Sequence, residues 1–268
     1  ARYDQLLREL ASLRKDLNAR VPSPGLRYGS KLLDRMPDGT ILYAAIPNLT
    51  ESLVTAKQVF EEHVAQSGAL QDWWNENISS PERRKEMDEA FLQVKELGSQ
   101  LGDEIVIALA QKPGGAIRGP ILLAEVKDRS TFKSTLAKDI KAMKGEAPQA
   151  SLKFEGSAVR IEFTCRHAAE ARATGTIATR ATVPWDSSPF RAKLDTAYAD
   201  GTSWLFAVDL KAMFAQGDHT PQEMQRLERM GVLDADYLIV ERTEVADGAD
   251  LHAEVTFDQP RRGIAGWL

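Results

Sequence analysis

The stretch DGTILYAAIPNL at residues 38–49 returns later in the chain as DGTSWLFAVDL at residues 200–210. The offset that places Asp38 on Asp200 also aligns residues 28–46 with residues 190–208 without a gap. Each copy is typical of a short helix, a tight Asp-Gly turn in which glycine accepts a positive φ angle, and a buried strand. This recurrence predicts a duplication, in which Tyr28, Lys31, Leu32, Asp38, Gly39, Thr40, Ala45 and Ile46 correspond to Phe190, Lys193, Leu194, Asp200, Gly201, Thr202, Ala207 and Val208.

A second correspondence lies downstream of each copy, where two strand-like segments share the same alternation of apolar and polar residues. Its matching segments are residues 104–110 with 236–241 and residues 122–126 with 251–255. The second copy stops where the first continues with a helix and a hairpin. We therefore expect the natural chain to continue beyond this sequence.

The repeat predicts three parts in the chain. The first, residues 1–24, is an N-terminal helix followed by a hinge built on PSPG. A first α+β module follows at residues 25–186, and a second, related and incomplete module occupies residues 187–268.

The order of the elements predicts the fold class. A strand at residues 41–46 is followed by helices, two strands, another helix and a hairpin. That succession favours an α+β fold, with two tandem modules of antiparallel or mixed sheet and helices packed on one face, over a doubly wound parallel sheet. The nearly continuous apolar run at residues 41–46 predicts a strand covered on both faces. We also predict a strand at residues 175–183 and a helix that turns Met87, Phe91, Val94 and Leu97 inward.

The first 21 residues predict a helix with an apolar seam. Its spacing alternates between three and four residues, which is the heptad pattern of a coiled coil. An amphipathic helix that packs on its own domain has the same pattern over so short a length, so both interpretations stay open. The coiled-coil interpretation predicts self-association through Tyr3, Leu6, Leu10, Leu13 and Leu17.

Charge and hydropathy restrict the partners of the chain. The net charge of −5 argues against nucleic acid binding, because phosphate contact needs a basic face. No run approaches about eighteen apolar residues, so we expect membrane attachment only through a segment outside this chain. The start, ARYDQLLREL, lacks the apolar core of a signal peptide. This leaves either a cytoplasmic protein or one whose export signal or anchor was removed.

No cofactor or metal is predicted. Cys165 is the single cysteine, which excludes an intrachain disulfide and a cysteine-rich metal site. The histidines, His63, His167, His219 and His252, do not have the spacing of metal ligands. Cys165 and His167 lack a third group that would orient a nucleophilic pair.

No catalytic residue is predicted either. The glycine-rich residues 112–115 join two strands and lack the Gly-Lys-Ser/Thr ending of a phosphate-binding loop. Asp103 and Asp236 begin equivalent strands, where acids keep strand edges soluble. The alternative interpretation is a hydrolase that uses these acids in a groove between the modules.

Three tryptophans are candidate contacts for a ligand or partner. Trp73 and Trp74 lie in QDWWNENISS, which we place between two helices in polar surroundings. We expect one indole to close the core and the other to be available to a partner. With Trp204, they are the first candidates for a small-molecule or lipid site in an apolar cleft.

The phrases PDGTILYAAIPNLTESL, SSPFRAKLDTAYADGTSWLFAVDL and FDQPRRGIAGWL carry a resemblance to a known group of proteins. Residues 25–268, apart from 164–186, resemble large bacterial proteins of the DUF3352-type family, which are predicted to be exported or membrane-anchored. The resemblance implies a periplasmic or cell-surface location and a repeated α+β module. It brings no catalytic residues.

The leading hypothesis is therefore a non-enzymatic, extracytoplasmic binding or scaffolding protein of the bacterial cell envelope, anchored by a segment that is not in this chain. It would act through assembly by its N-terminal helix and through surfaces between its modules. A hydrolase and a small-molecule or lipid binder stay open as alternatives.

Overall fold

A computed structural model describes residues 2–77, 80–113, 117–142, 149–164, 183–215, 220–245, 248–261, 263 and 266. Within these residues the chain forms eight α-helices and eight β-strands. The helices are α1 (Arg2–Arg20), α2 (Thr50–Gln66), α3 (Gly68–Asn77), α4 (Pro81–Ser99), α5 (Arg129–Ala142), α6 (Pro189–Asp200), α7 (Leu210–Phe214) and α8 (Pro221–Met230). The strands are β1 (Thr40–Pro47), β2 (Leu101–Ala110), β3 (Ile121–Val126), β4 (Ala150–Glu155), β5 (Ala158–Phe163), β6 (Trp204–Asp209), β7 (Ala235–Val245) and β8 (Gly248–Phe257).

All of these strands belong to one antiparallel sheet, in the order β4–β5–β3–β2–β1–β6–β7–β8. The predicted α+β class is therefore confirmed. Strands from both predicted modules lie in this single sheet, in which β1 and β6 are direct neighbours. The predicted strand at residues 175–183 falls outside the described residues, apart from Val183.

The chain forms two compact units that interleave along the sequence. The helical unit comprises Ala1–Pro24, Asn48–Gly102 and Lys127–Gly145. The sheet unit comprises Gly25–Pro47, Asp103–Val126 and Glu146–Leu268. Each unit is thus assembled from separate stretches of chain, whereas the three predicted parts follow the repeat and remain a prediction.

In the helical unit, α1 packs against α2 and α3, α2 packs against α4, and α4 packs against α5. Helix α4 begins with a capping residue and a proline: the side chain of Ser80 accepts a hydrogen bond from the N–H of Arg83, and Pro81 lies in the first turn. Near its other end, Gly98 lies so close to Thr50 of α2 that an added Cβ would be 1.9 Å from Oγ1 of Thr50. The missing side chain of Gly98 therefore permits the close approach of the two helices.

The expectations for the helical unit are met only in part. Trp73 and Trp74 lie between α2 and α4 in the chain, but within a further helix, α3, that the sequence did not predict. The inner face predicted for α4 is wrong at Met87 and Val94, which are each 49% exposed. Because α4 packs on α2 and α5, the position of these partners, and not the apolar spacing alone, decides which of its side chains are buried.

The first face of the sheet, covered by α6, is the core of the sheet unit. Side chains alternate between the two faces along each strand, so every second residue of β1, β2 and β6 reaches this face. Helix α6 covers them with apolar residues at i, i+4, i+7 and i+8, and its Phe190 stacks on Tyr237 with 5.8 Å between ring centroids. The buried residues include Tyr43, Ala45, Val106, Ala108, Leu205, Ala207, Phe190, Leu194, Ala197 and Tyr198.

The second face of the sheet is also apolar but is only partly covered. Ile107, Val255 and Leu251 are 38%, 44% and 68% exposed. The expectation that residues 41–46 are covered on both faces is therefore wrong, since the residues of β1 on this side are half-buried. By the pairing registers, the partly exposed residues that define the second face are Leu42, Ala44, Ile46, Ile105, Ile107, Leu109, Trp204, Phe206, Leu238, Val240, Leu251 and Val255.

The register between β1 and β6 is symmetric about Ala44 and Phe206, which stand directly opposite each other. The neighbouring opposed pairs are Tyr43–Ala207 and Ala45–Leu205. On the outer sides, β2 flanks β1 and β7 flanks β6. Gly39 and Gly201, in the turns before the two central strands, have φ angles of 73° and 88°, as the Asp-Gly turns predict.

Replacing Gly98 by alanine should lower the free energy of unfolding by about 1–3 kcal/mol, because the new methyl group overlaps Thr50 and the two helices must separate. Urea unfolding followed by circular dichroism measures the change. Gly68→Ala is the matched control, since nothing lies within 4 Å of a Cβ built there. Equal stabilities of the two variants would contradict the close contact between α2 and α4.

Candidate functional site

A buried carboxylate, Glu104, is the centre of a hydrogen-bonded cluster on the first face of the sheet. It accepts hydrogen bonds from the guanidinium group of Arg27 and from the hydroxyls of Ser30 and Tyr198, the last at 2.6 Å. The hydroxyl of Tyr198 also lies 2.9 Å from the hydroxyl of Tyr43. We call these five residues the Glu104 network.

Burial sets the electrostatics of the Glu104 network. The side chains of Arg27 and Glu104 are 15% and 10% exposed, so water screens their attraction less than it would at the surface. Burial raises the pKa of Tyr43 and of Tyr198 well above the usual value for tyrosine, and the charge of Glu104 adds to the effect. Both phenols are therefore neutral hydrogen-bond donors near neutral pH.

The Glu104 network joins four parts of the sheet unit. Glu104 belongs to β2, Tyr43 to β1 and Tyr198 to α6, while Arg27 and Ser30 come from the segment before β1. Arg27 also donates a hydrogen bond of 3.0 Å to the carbonyl oxygen of Ser203, just before β6. Both carboxylate oxygens of Glu104 already accept hydrogen bonds within the fold, which is what a structural clamp requires.

Sequence analysis missed most of the Glu104 network. It placed residue 104 at the start of a predicted strand but named neither Glu104 nor its partners as candidates. One signal was present: Glu104 lies two and four residues before Val106 and Ala108, so its side chain is on the same face of β2. An acid on that buried face needs a partner. The sequence does not say which residues supply that partner, because they lie far away along the chain.

The two acids considered for hydrolysis, Asp103 and Asp236, are not brought together. Strand β2 begins beside the end of β1, and β7 begins beside the end of β6. Since β1 and β6 are antiparallel, the starts of β2 and β7 lie at opposite ends of the sheet. Asp103 is exposed, and Asp236 lies 3.6 Å from the ammonium group of Lys211.

The adjacent indoles of α3 have different surroundings. Trp74 packs edge-to-face on Phe60, with 4.8 Å between ring centroids. Trp73 is 36% exposed. It lines a cavity of about 360 Å³, together with Tyr3, Leu6, Ala69, Glu76 and Asn77. We call this cavity the Trp73 groove.

The N-terminal seam is divided within the helical unit. Leu13 is buried at 7% exposure and Leu17 is half-buried, and Leu6 lines the Trp73 groove. Tyr3 and Leu10 are 81% and 39% exposed. At least part of the seam therefore packs within the chain, and self-association through the exposed part stays a prediction.

Trp204, the third candidate tryptophan, lies on the second face of the sheet and is half-buried. It stands opposite Arg242 of β7 and is two residues from Phe206. Another cavity, of about 350 Å³, has a mixed lining that includes Lys112, Arg118 and Glu162. Neither cavity is lined by a residue of the second face or of the Glu104 network.

Metal ligands do not converge in the described part of the chain, where no group of three or more His, Cys, Asp or Glu side chains could hold an ion. His63 lies instead 2.8 Å from Asp16, within the helical unit. Cys165, His167 and His219 fall outside the described residues. Among the helices that the structure describes, none has both the length and the hydropathy needed to cross a membrane.

Comparison with known proteins found no matching family model, no similar curated protein and no similar solved structure. The resemblance to the DUF3352-type family therefore stays a prediction. Function has to be argued from the surfaces and side chains of this chain.

Replacing Glu104 by alanine should lower the free energy of unfolding by about 3–5 kcal/mol, because the buried guanidinium group of Arg27 loses its counter-charge. Asp103→Ala is the control: it removes the exposed acid next in the chain and should change stability by less than about 0.5 kcal/mol. Chemical denaturation of both variants measures the difference. If both had the stability of the parent chain, Glu104 would not be the clamp described here.

Proposed function

We propose that this chain is a non-enzymatic binding or scaffolding protein of the bacterial cell envelope, and that its partner is a protein that docks on the second face of the sheet. The observation that carries the proposal is the apolar and partly exposed character of this face across β1, β2, β6, β7 and β8. Contiguous apolar surface of this kind is typical of interaction sites. Its central aromatic residues, Trp204 and Phe206, are of the types that supply most of the binding energy in protein interfaces.

The shape of the second face favours a protein partner over a small molecule or lipid. Small ligands are generally held in clefts that bury most of their surface. The second face contributes no residue to the two cavities described above, and its Leu251 and Val255 are 68% and 44% exposed, so a small ligand placed there would stay largely in water. A protein partner can cover such an open surface with a matching apolar surface of its own.

The side chains also favour binding over catalysis. Asp103 and Asp236 lie at opposite ends of the sheet, which leaves the hydrolase alternative without its pair of acids. Glu104 is buried, and its oxygens already accept hydrogen bonds from Arg27, Ser30 and Tyr198. We therefore give the acids a structural role.

We also propose that the two halves of the sheet arose by duplication. The register supports this: the offset that places Asp38 on Asp200 also places Ala44 on Phe206, and these two residues stand opposite each other. That is the arrangement expected when two equivalent strands pair about a two-fold axis. The strand order β3–β2–β1–β6–β7–β8 is likewise symmetric about the central pair.

The location and the N-terminal helix complete the proposal. The resemblance to exported and anchored families supports an extracytoplasmic location, with attachment through a segment outside this chain. The exposed side chains of Tyr3 and Leu10 are where α1 could contact a second copy. Both statements are independent of the partner on the second face.

A photo-crosslinking amino acid at Phe206 should give one discrete adduct with a second protein in intact native cells. Adding Ile107→Glu should reduce the yield about tenfold, because a charge on the second face must be desolvated when the partner docks. Ile107 is 38% exposed, so the variant is expected to fold. Lys193→Glu, at an exposed position of α6, is the matched control and should leave the yield unchanged. Mass spectrometry identifies the adduct.

Three results would contradict the proposal. One is the absence of an adduct from Phe206, and another is a yield that Ile107→Glu and Lys193→Glu reduce equally. The third is an adduct with a lipid, which would favour the small-molecule or lipid alternative.

The location is tested in the same cells, because an extracytoplasmic protein is digested by protease added to spheroplasts, whereas a cytosolic one is protected.

A further inference from the structure

Among the strands that the structure describes, β8 is an edge of the sheet. It lies last in the strand order, and β7 is its partner on the inner side. Residues 248–255 are all exposed, so both faces of the strand meet solvent over most of its length. An edge strand presents unpaired N–H and C=O groups, which makes it a template for pairing with a further strand.

The opposite edge, β4, differs in the features that normally prevent such pairing. β4 has six residues and carries Lys153 near its centre. β8 has ten residues and contains no lysine, arginine or proline, although short length, lysine and proline are the usual protections of an edge. One face of β8 also carries the exposed apolar side chains of Leu251 and Val255. β8 is thus the edge that is open to another strand.

We propose that the strand that pairs with β8 is β8 of a second copy of this chain, antiparallel to the first about a two-fold axis at Ala253. This register places Leu251 opposite Val255 of the other copy and His252 opposite Glu254, each pair occurring twice. Apolar cross-strand pairs stabilise a sheet, and an imidazole opposite a carboxylate can donate a hydrogen bond to it. Asp250 then faces Thr256, which leaves no like charges directly opposed along the join.

The neighbouring registers are less favourable. An axis at His252 would place Asp250 opposite Glu254 twice, and these like charges repel. An axis at Leu251 would pair only residues 248–254 and leave Val255 outside the join. The axis at Ala253 uses nearly the whole strand, places Glu254 opposite His252 and opposes no like charges. This complementarity of the strand with itself selects a second copy as the occupant of the edge.

The dimer would continue the sheet of each copy. When the two-fold axis is perpendicular to the sheet, the apolar side chains of β8 in both copies lie on the same side of the joined sheet. There they form one continuous surface. The pairing does not depend on the binding function proposed for the second face, because it is made by the backbone edge of β8 and by side-chain pairs on both of its faces.

Sedimentation equilibrium of the full chain tests the proposal. The parent chain should show a monomer–dimer equilibrium, and Glu254→Lys should weaken the dimer about tenfold, because the carboxylate that faces His252 of the other copy is lost. The charge swap His252→Glu with Glu254→Lys should restore the dimer when it is made together with Glu241→Gln, since Glu241 of β7 faces position 252 within each copy. Lys153→Glu at the opposite edge is the matched control and should leave the equilibrium unchanged. Circular dichroism verifies that each variant is folded.

Three outcomes would overturn the proposal. The parent chain could be monomeric at every concentration up to its solubility limit, the dimer could survive Glu254→Lys, or the charge swap could fail to restore it in a folded chain. Leu10→Glu identifies a competing interface, since loss of the dimer there and not in Glu254→Lys would assign it to the exposed part of α1.

Discussion

The antiparallel pairing of β1 with β6 is the interaction on which the sheet depends, because it joins the strands of the two predicted modules into one continuous sheet. With Ala44 opposite Phe206, alternate residues of both strands reach the same face, and two faces of different character result. The first face carries Tyr43 and Leu205 into the core beneath α6. The second face carries Phe206 and Trp204 toward solvent, and the proposed binding surface is a direct consequence of this register. A slip by one residue would exchange the two faces.

The Glu104 network explains how a buried charge fits into this core. A carboxylate on a buried strand face is costly unless it is paired, and here the cost is offset by Arg27, Ser30 and Tyr198. Because these donors come from the segment before β1 and from α6, the network fixes both of them to β2. Its polar groups therefore serve the fold.

Much of the local structure was predictable from local patterns. The helix at residues 50–66, the hairpin of β4 and β5, and the capping box at Thr220 follow from periodicity and turn chemistry, which act within a few residues. Helix α3 was missed because its polar flanks resemble a linker.

The partners of Glu104 were missed because they are distant in the chain. The heptad pattern of α1 could not distinguish an intermolecular seam from the intramolecular packing seen at Leu13. The sequence also did not predict that strands of both predicted modules lie in one sheet. A repeat describes each module and not the pairing of strands between modules.

The most direct measurement of the central claim is disulfide formation between cysteines placed at Ala44 and Phe206, in a chain whose Cys165 is replaced by serine. Opposed residues of an antiparallel pair have Cα atoms about 4.5–5.5 Å apart, within the range that a disulfide spans. The account predicts that mild oxidation links positions 44 and 206 within the monomer and leaves positions 44 and 204 unlinked. A link at 44 and 204 in place of 44 and 206, or no link in the folded chain, would contradict the central pairing and the second face that follows from it.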